Sequence, residues 1–202
     1  MADNNSENPM VTAMRTALKP YQIFPKNHTS LVLINCQKAF LDEQPELKTK
    51  LEDLIRFARQ NNWKIIHAPW GYTERKFPSP AQLLMDKRLK ASSTITDLLY
   101  VEQGDITLPS RTTLSAFSET NLEKTLRKHG LEHLVLAGPV ADLTLDSTMR
   151  DGIQNDFHIA IITDALALTN QSQRISDYAE TLGRYAQTVT NLKELKRLSA
   201  ES

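Results

Sequence analysis

Residues 134–151 read Leu-Val-Leu-Ala-Gly-Pro-Val-Ala-Asp-Leu-Thr-Leu-Asp-Ser-Thr-Met-Arg-Asp. The apolar run 134–137 is short and suits a strand buried on both faces. Gly138-Pro139 breaks it, and a helix is expected from Asp142 to Asn155. A strand that turns straight into a helix is the building unit of parallel α/β sheets. The first N–H groups of such a helix have no partners along the chain, and the helix dipole adds to their positive potential. The turn is therefore suited to hold negative charge, with Thr144 aimed into it.

The same alternation extends outward from this stretch. Residues 31–34 form an apolar, β-branched run that ends at Asn35-Cys36-Gln37. Leu47, Leu51, Leu54, Ile55 and Ala58 recur at helical spacing and predict a helix over 46–61. A second buried strand spans 63–68 and closes at Pro69. Residues 71–93 are irregular and basic, with Pro78 and Pro80, and read as a lid or interface element carrying a short helix at 81–87. Gly104-Asp105 turns the chain into a short strand at 106–108. Thr120 followed by Glu123 reads as a capping box for a helix through Lys128. Further strands are expected at 133–137, 158–163 and 187–190, with helices at 174–185 and 192–198. Ahead of these lie a polar, Asn-rich stretch over 1–9 read as disordered, an amphipathic helix at 11–18 stopped by Pro20, and an extended piece at 21–25.

The expected architecture is α/β: three layers, helices on both faces of a parallel sheet of about six strands. One domain over 28–198 follows an N-terminal extension over 1–27. In such sheets ligands bind beyond the carboxyl ends of the strands, which singles out Asn35, His67, Arg111, Thr144 and Asp164.

Composition narrows the function. The 202 residues carry 24 Lys and Arg against 24 Asp and Glu, with no basic stripe, so nucleic acid is not an expected partner. No apolar run approaches the roughly 18 residues that cross a bilayer, so no membrane partner is expected. The first nine residues lack an apolar signal core, and the single cysteine, Cys36, allows no internal disulfide; both point to a cytoplasmic protein. The five histidines are scattered without metal-ligand spacing.

Four segments carry a resemblance: Leu-Val-Leu-Ile-Asn-Cys-Gln-Lys-Ala-Phe (31–40), Ser-Ala-Phe (115–117), the stretch from Gly138 to Asp151, and Ile-Thr-Asp-Ala (162–165). In order and spacing, over roughly 28–195, they resemble the isochorismatase-like (cysteine hydrolase) superfamily. The resemblance implies a Rossmann-like fold and hydrolysis of a C–N amide or of the isochorismate vinyl ether. It also implies a catalytic Asp at the end of the first strand, a Lys four residues before Ser-Ala-Phe, and a Cys six residues after the turn glycine. Those positions hold Asn35, Arg111 and Thr144.

The resemblance further implies an oxyanion cradle from the N–H groups of Val140 and Thr144, shaped by a cis peptide between Pro139 and Val140. Phe40, His67 and Phe117 are its pocket candidates. It implies a homo-oligomer and a small-molecule ligand. Metal-binding members carry an Asp and His cluster after the first strand. The stretch after Phe40, Leu-Asp-Glu-Gln-Pro-Glu-Leu-Lys, has carboxylates but no His, so neither metal nor other cofactor is expected.

The three residues change the chemistry. An amide such as Asn35 has no proton-accepting pKa in range. A hydroxyl such as that of Thr144 is a weak nucleophile without a base. Arg111 keeps positive charge but does not shuttle protons. Loss of the base alone costs about 10²–10⁴ in rate. Three readings stay open: an altered or inactive homologue binding a small carbonyl or anionic ligand; an active hydrolase using Thr144 or a directly activated water; and a structural or partner-binding homo-oligomer. Each residue also has a plain structural reading. Asn35 keeps a pocket closed by hydrogen bonding, Thr144 serves the helix N-terminus, Arg111 joins an ion pair, Cys36 and His67 are core residues, and Asp142 and Asp164 brace chain ends.

Overall fold

A computed structural model of the chain describes residues 24–91, 97–169 and 174–200. The expected helix at 11–18, the polar stretch 1–9 and most of 21–25 lie outside the described residues. Six parallel strands form one sheet in the order β3-β2-β1-β4-β5-β6. They are β1 (Thr29–Ile34), β2 (Lys64–Ala68), β3 (Ile106–Thr107), β4 (His133–Gly138), β5 (His158–Leu166) and β6 (Thr188–Thr190). The helices are α1 (Lys38–Leu41), α2 (Pro45–Gln60), α3 (Pro80–Ala91), α4 (Leu122–Lys128), α5 (Asp146–Gln154), α6 (Ile175–Leu182) and α7 (Leu192–Ala200). The expected three-layer α/β/α architecture is the one observed.

Strand side chains alternate between two cores. Val32, Ile34, Leu134, Leu136, Ile159 and Ile161 face α4, α5 and α6 through Leu122, Leu126, Met149 and Leu182. Leu31, Leu33, Val135, Ala137, Ala160 and Ile162 face α2 and α7 through Leu47, Leu51, Leu54 and Leu195. Because both faces are covered, every residue of β1 is buried, which is why its 31–34 part reads as a continuous apolar run. The fold reaches back to Phe24, which is buried against Trp63.

The strand order reverses between β1 and β4, and their carboxyl ends are pressed together. At Gly138 (φ 140°), an added Cβ would stand 2.2 Å from the Ile34 carbonyl oxygen, so only glycine fits. Past this point the structure departs from the expected turn. The peptide bonds of the described residues are all trans, including Pro139–Val140, and Val140 takes a left-handed φ of 59° instead. The chain then makes one wide, π-type turn over Ala141–Leu145, and the regular helix begins only at Asp146.

Two other expectations are corrected. The Thr120–Glu123 capping box does not form: the Thr120 hydroxyl accepts from the Leu122 N–H at 3.0 Å and donates to the Ala116 carbonyl, a local turn that uses up the cap. The helix in the 71–93 stretch runs longer than 81–87, beginning at Pro80, where proline is at home in a first turn.

Candidate functional site

Asn35 follows β1, Arg111 follows β3, and Thr144 lies in the wide turn after β4. The fold brings all three together, each fully buried. Asn35 has φ 56°, a left-handed conformation that asparagine tolerates better than most residues. Its Nδ2 donates to Thr144 Oγ1 at 2.8 Å, and its Oδ1 accepts from Arg111 Nη2 at 3.1 Å. Thr144 Oγ1 in turn donates to the Val140 carbonyl at 3.1 Å. Polarity therefore runs one way, from guanidinium to amide to hydroxyl to backbone.

Arg111 is pinned on the other side as well. Nη1 donates to the carbonyls of Ala68 (2.7 Å) and Pro69 (3.0 Å), and the guanidinium lies 5.8 Å from the Trp70 ring centroid. No carboxylate pairs with it among the described residues, and Nε has no hydrogen-bond acceptor. Burial lowers its pKa to about 9, since nothing anionic offsets the loss of water. The Thr144 N–H also donates to the Val140 carbonyl, at 3.1 Å, so one of the two expected cradle donors is spent within the turn. Chemically, the arrangement holds a hydroxyl and an amide in fixed roles. It presents no proton acceptor to Thr144 other than a backbone carbonyl, a negligible base.

An apolar cluster, called the lid below, meets Arg111 through Trp70 and Thr144 through Val140. Phe40, Trp70, Met85, Leu89 and Val140 form a separate apolar cluster over the carboxyl edge, with Leu114 and Leu143 against it. Trp70 fastens this lid: its indole N–H donates to Asp86 Oδ1 on α3 at 3.0 Å, and its backbone N–H and carbonyl pair with the Gln37 side chain at 2.7 and 3.0 Å. Arg75 pairs with Asp86 at 3.5 Å and donates to the Thr112 carbonyl, beside Arg111. Sequence reasoning missed Gln37, Trp70 and Asp86. The one available signal was an acid between Met85 and Leu89, on the inner face of a short helix.

Of the pocket candidates, Phe40 belongs to the lid cluster, as does the expected cradle residue Val140. The other two lie apart from Asn35. His67 is buried beside Asp105, 3.2 Å from its carboxylate, and Phe117 stacks with Phe157 in the core at 5.6 Å. Asp142 accepts from the Thr169 N–H at 2.8 Å, and Asp164 from the Leu192 N–H at 2.9 Å, so both brace chain ends. Cys36 is buried and its thiol pKa is pushed well up by desolvation, which keeps it from reacting. Among the described residues, no three His, Cys, Asp or Glu are grouped to hold a metal, and no helix is long and apolar enough to cross a membrane.

The Isochorismatase domain model matches residues 29–192. The chain belongs to the isochorismatase family. Its isochorismatase domain resembles the ureidoacrylate amidohydrolase RutB of Methylorubrum extorquens, 35% identical over 85 residues, which make up 40% of this chain and 34% of that enzyme. RutB of Serratia proteamaculans is 35% identical over 71 residues, 35% of this chain and 28% of that one. The match thus spans about a third of the length of these curated relatives. Among solved structures, a cysteine hydrolase from Pseudomonas syringae pv. phaseolicola superposes with a TM-score of 0.74 at 15% identity, covering 89% of this chain and 97% of that one. N-carbamoylsarcosine amidase from Thermoplasma acidophilum gives 0.66 at 18% identity, covering 81% and 95%. At these identities the superpositions establish the fold.

Proposed function

We propose that this isochorismatase domain holds a small carbonyl or anionic ligand rather than hydrolysing one, with Asn35, Arg111 and Thr144 standing where cysteine hydrolases carry Asp, Lys and Cys. One observation carries the reading: Asn35 donates to the Thr144 hydroxyl at 2.8 Å, so the group at the base position gives a proton's hydrogen bond where catalysis needs it to take one. Arg111 supports the ligand class. Among the described residues its Nε faces no acceptor and its charge has no counter-ion, so a carboxylate or carbonyl oxygen reaching it would find a waiting donor. The family expectation of a homo-oligomer belongs to the same proposal.

Amide cleavage is the competing reading, because relatives are named amidohydrolase and amidase. The test is turnover of ureido and carbamoyl amides by the purified full chain. The expected result is no release of ammonia above buffer, and a measurable rate in the combined variant Asn35→Asp, Arg111→Lys, Thr144→Cys. Steady turnover by the natural chain that disappears in Thr144→Ala would overturn the proposal.

A further inference from the structure

Two of the four large apolar side chains exposed among the described residues, Phe77 at 85% and Leu83 at 54%, stand on α3 or just ahead of it. Phe77 precedes Pro78-Ser79-Pro80, and the Lys76 ammonium lies 5.3 Å from its ring centroid. The two prolines stiffen the backbone that holds the ring out, so little chain freedom is lost when something covers it. On the helix itself, Leu83 and Leu84 are followed one turn later by Lys87 and Arg88. These four line an open cavity of ≈ 460 Å³. A second, of ≈ 440 Å³, shares Leu83 and Lys87 with it and extends to Tyr72, Arg75 and Asp86.

The charges on this face do not balance. Asp86 is engaged inward, with the Trp70 indole and with Arg75. Glu74 is the other acid lining the second cavity. Among the described residues, Lys76, Lys87 and Arg88 form no ion pair, so cations are in excess. A second copy meeting this face across a two-fold axis would set Lys87 and Arg88 against their own equivalents, and like charges brought together weaken binding. A bilayer is planar and would bridge the cavities rather than fill them. A narrow chain fills them, and the order of side chains along the helix says which kind. It needs an apolar residue for Leu83 and Leu84, and carboxylates a helical turn further on for Lys87 and Arg88.

We propose that the outer face of α3 is a docking site for an acidic peptide segment of a partner protein, with an apolar side chain on Leu83 and Leu84 and carboxylates on Lys87 and Arg88. Phe77 adds an exposed aromatic anchor where the chain enters the helix. The inner face of the same helix places Met85 and Leu89 in the lid cluster and Asp86 on Trp70. A segment docked outside therefore also steadies the lid.

The probe is a fluorescein-labelled peptide, Ser-Leu-Phe-Glu-Glu-Asp-Glu-Ser, read by anisotropy against the full chain. It should bind, bind more weakly as salt rises, and slow hydrogen exchange in α3. Lys87→Glu combined with Arg88→Glu should weaken it by about tenfold or more, and Leu83→Ser should weaken it several-fold. None of these three side chains belongs to an apolar cluster, so the variants should keep the circular dichroism of the natural chain. No binding, equal binding of a peptide with Lys in place of each acid, or undiminished affinity in the charge-reversed variant would overturn the proposal. Displacement of the peptide by phosphatidylcholine vesicles carrying phosphatidylserine would overturn it in favour of a lipid surface. A change of oligomeric state with Leu83→Ser in sedimentation would overturn it in favour of a second copy.

Discussion

Arg111 Nη2 lies 3.1 Å from Oδ1 of Asn35, so a fully buried cation is matched to a neutral amide. A buried guanidinium is ordinarily paired with a carboxylate; here backbone carbonyls and one amide share the work. Asn35 therefore serves two masters, accepting from Arg111 and donating to Thr144.

Removing both of its hydrogen bonds should be severe. Asn35→Leu leaves Arg111 short of an acceptor and forces a larger side chain into a left-handed φ, and should cost about 3 kcal/mol in urea denaturation. Asn35→Asp keeps the acceptor, suits the same φ and supplies a counter-charge. Its denaturation midpoint should be at least that of the natural chain. A lower midpoint would show that the lost donation to Thr144 outweighs the ion pair.

Gly138→Ala should be among the least tolerated substitutions. Its Cβ meets a backbone oxygen at 2.2 Å, which cannot swing away as a side chain could. The expected loss is about 3 kcal/mol or more, seen as insoluble expression or a collapsed thermal transition. By comparison, the Cβ added by Gly152→Ala lies 2.7 Å from Ile159 Cδ1, the far end of a flexible side chain. That variant should fold, with a loss of about 1–2 kcal/mol.

Asp86→Ala removes the acceptor of the Trp70 indole and the partner of Arg75. The lid should loosen ahead of the rest of the fold. Hydrogen exchange should accelerate across α3 while β1 and β4 keep their protection, with a stability loss of about 1–3 kcal/mol. Uniform acceleration across the sheet would refute a local role.

Acid should weaken the fold through its histidines. His67, His133 and His158 are all shifted down, each chiefly by burial. The unfolded chain thus binds protons near pH 6.5 that the folded chain refuses until lower pH. Their contribution is complete above about 6.5 and is lost as pH falls toward about 4, the value for His158. Denaturant midpoints should decline across that window, and less steeply in His158→Gln.

The alternating layers were legible because buried parallel strands leave continuous apolar runs, as in β1, and because α2 keeps its apolar residues at helical spacing. The meeting of Asn35, Arg111 and Thr144 was legible from their positions at strand ends. The details of the turn were not. Val140 is left-handed and the turn over Ala141–Leu145 is wide, and no local propensity marks a valine for that conformation. Nor was the lid legible: Trp70 and Asp86 are 16 residues apart, and their bond depends on how α3 docks. His67 misled for a related reason, since the partner that draws it away, Asp105, sits before another strand.

The close approach of Gly138 to the end of β1 is made by main chain alone. Side chains that keep the hydrogen bonds at positions 35, 111 and 144 can be exchanged without moving that contact. In such a frame the chemistry offered at one address is a matter of which side chains stand there, and the architecture around them is common to any choice.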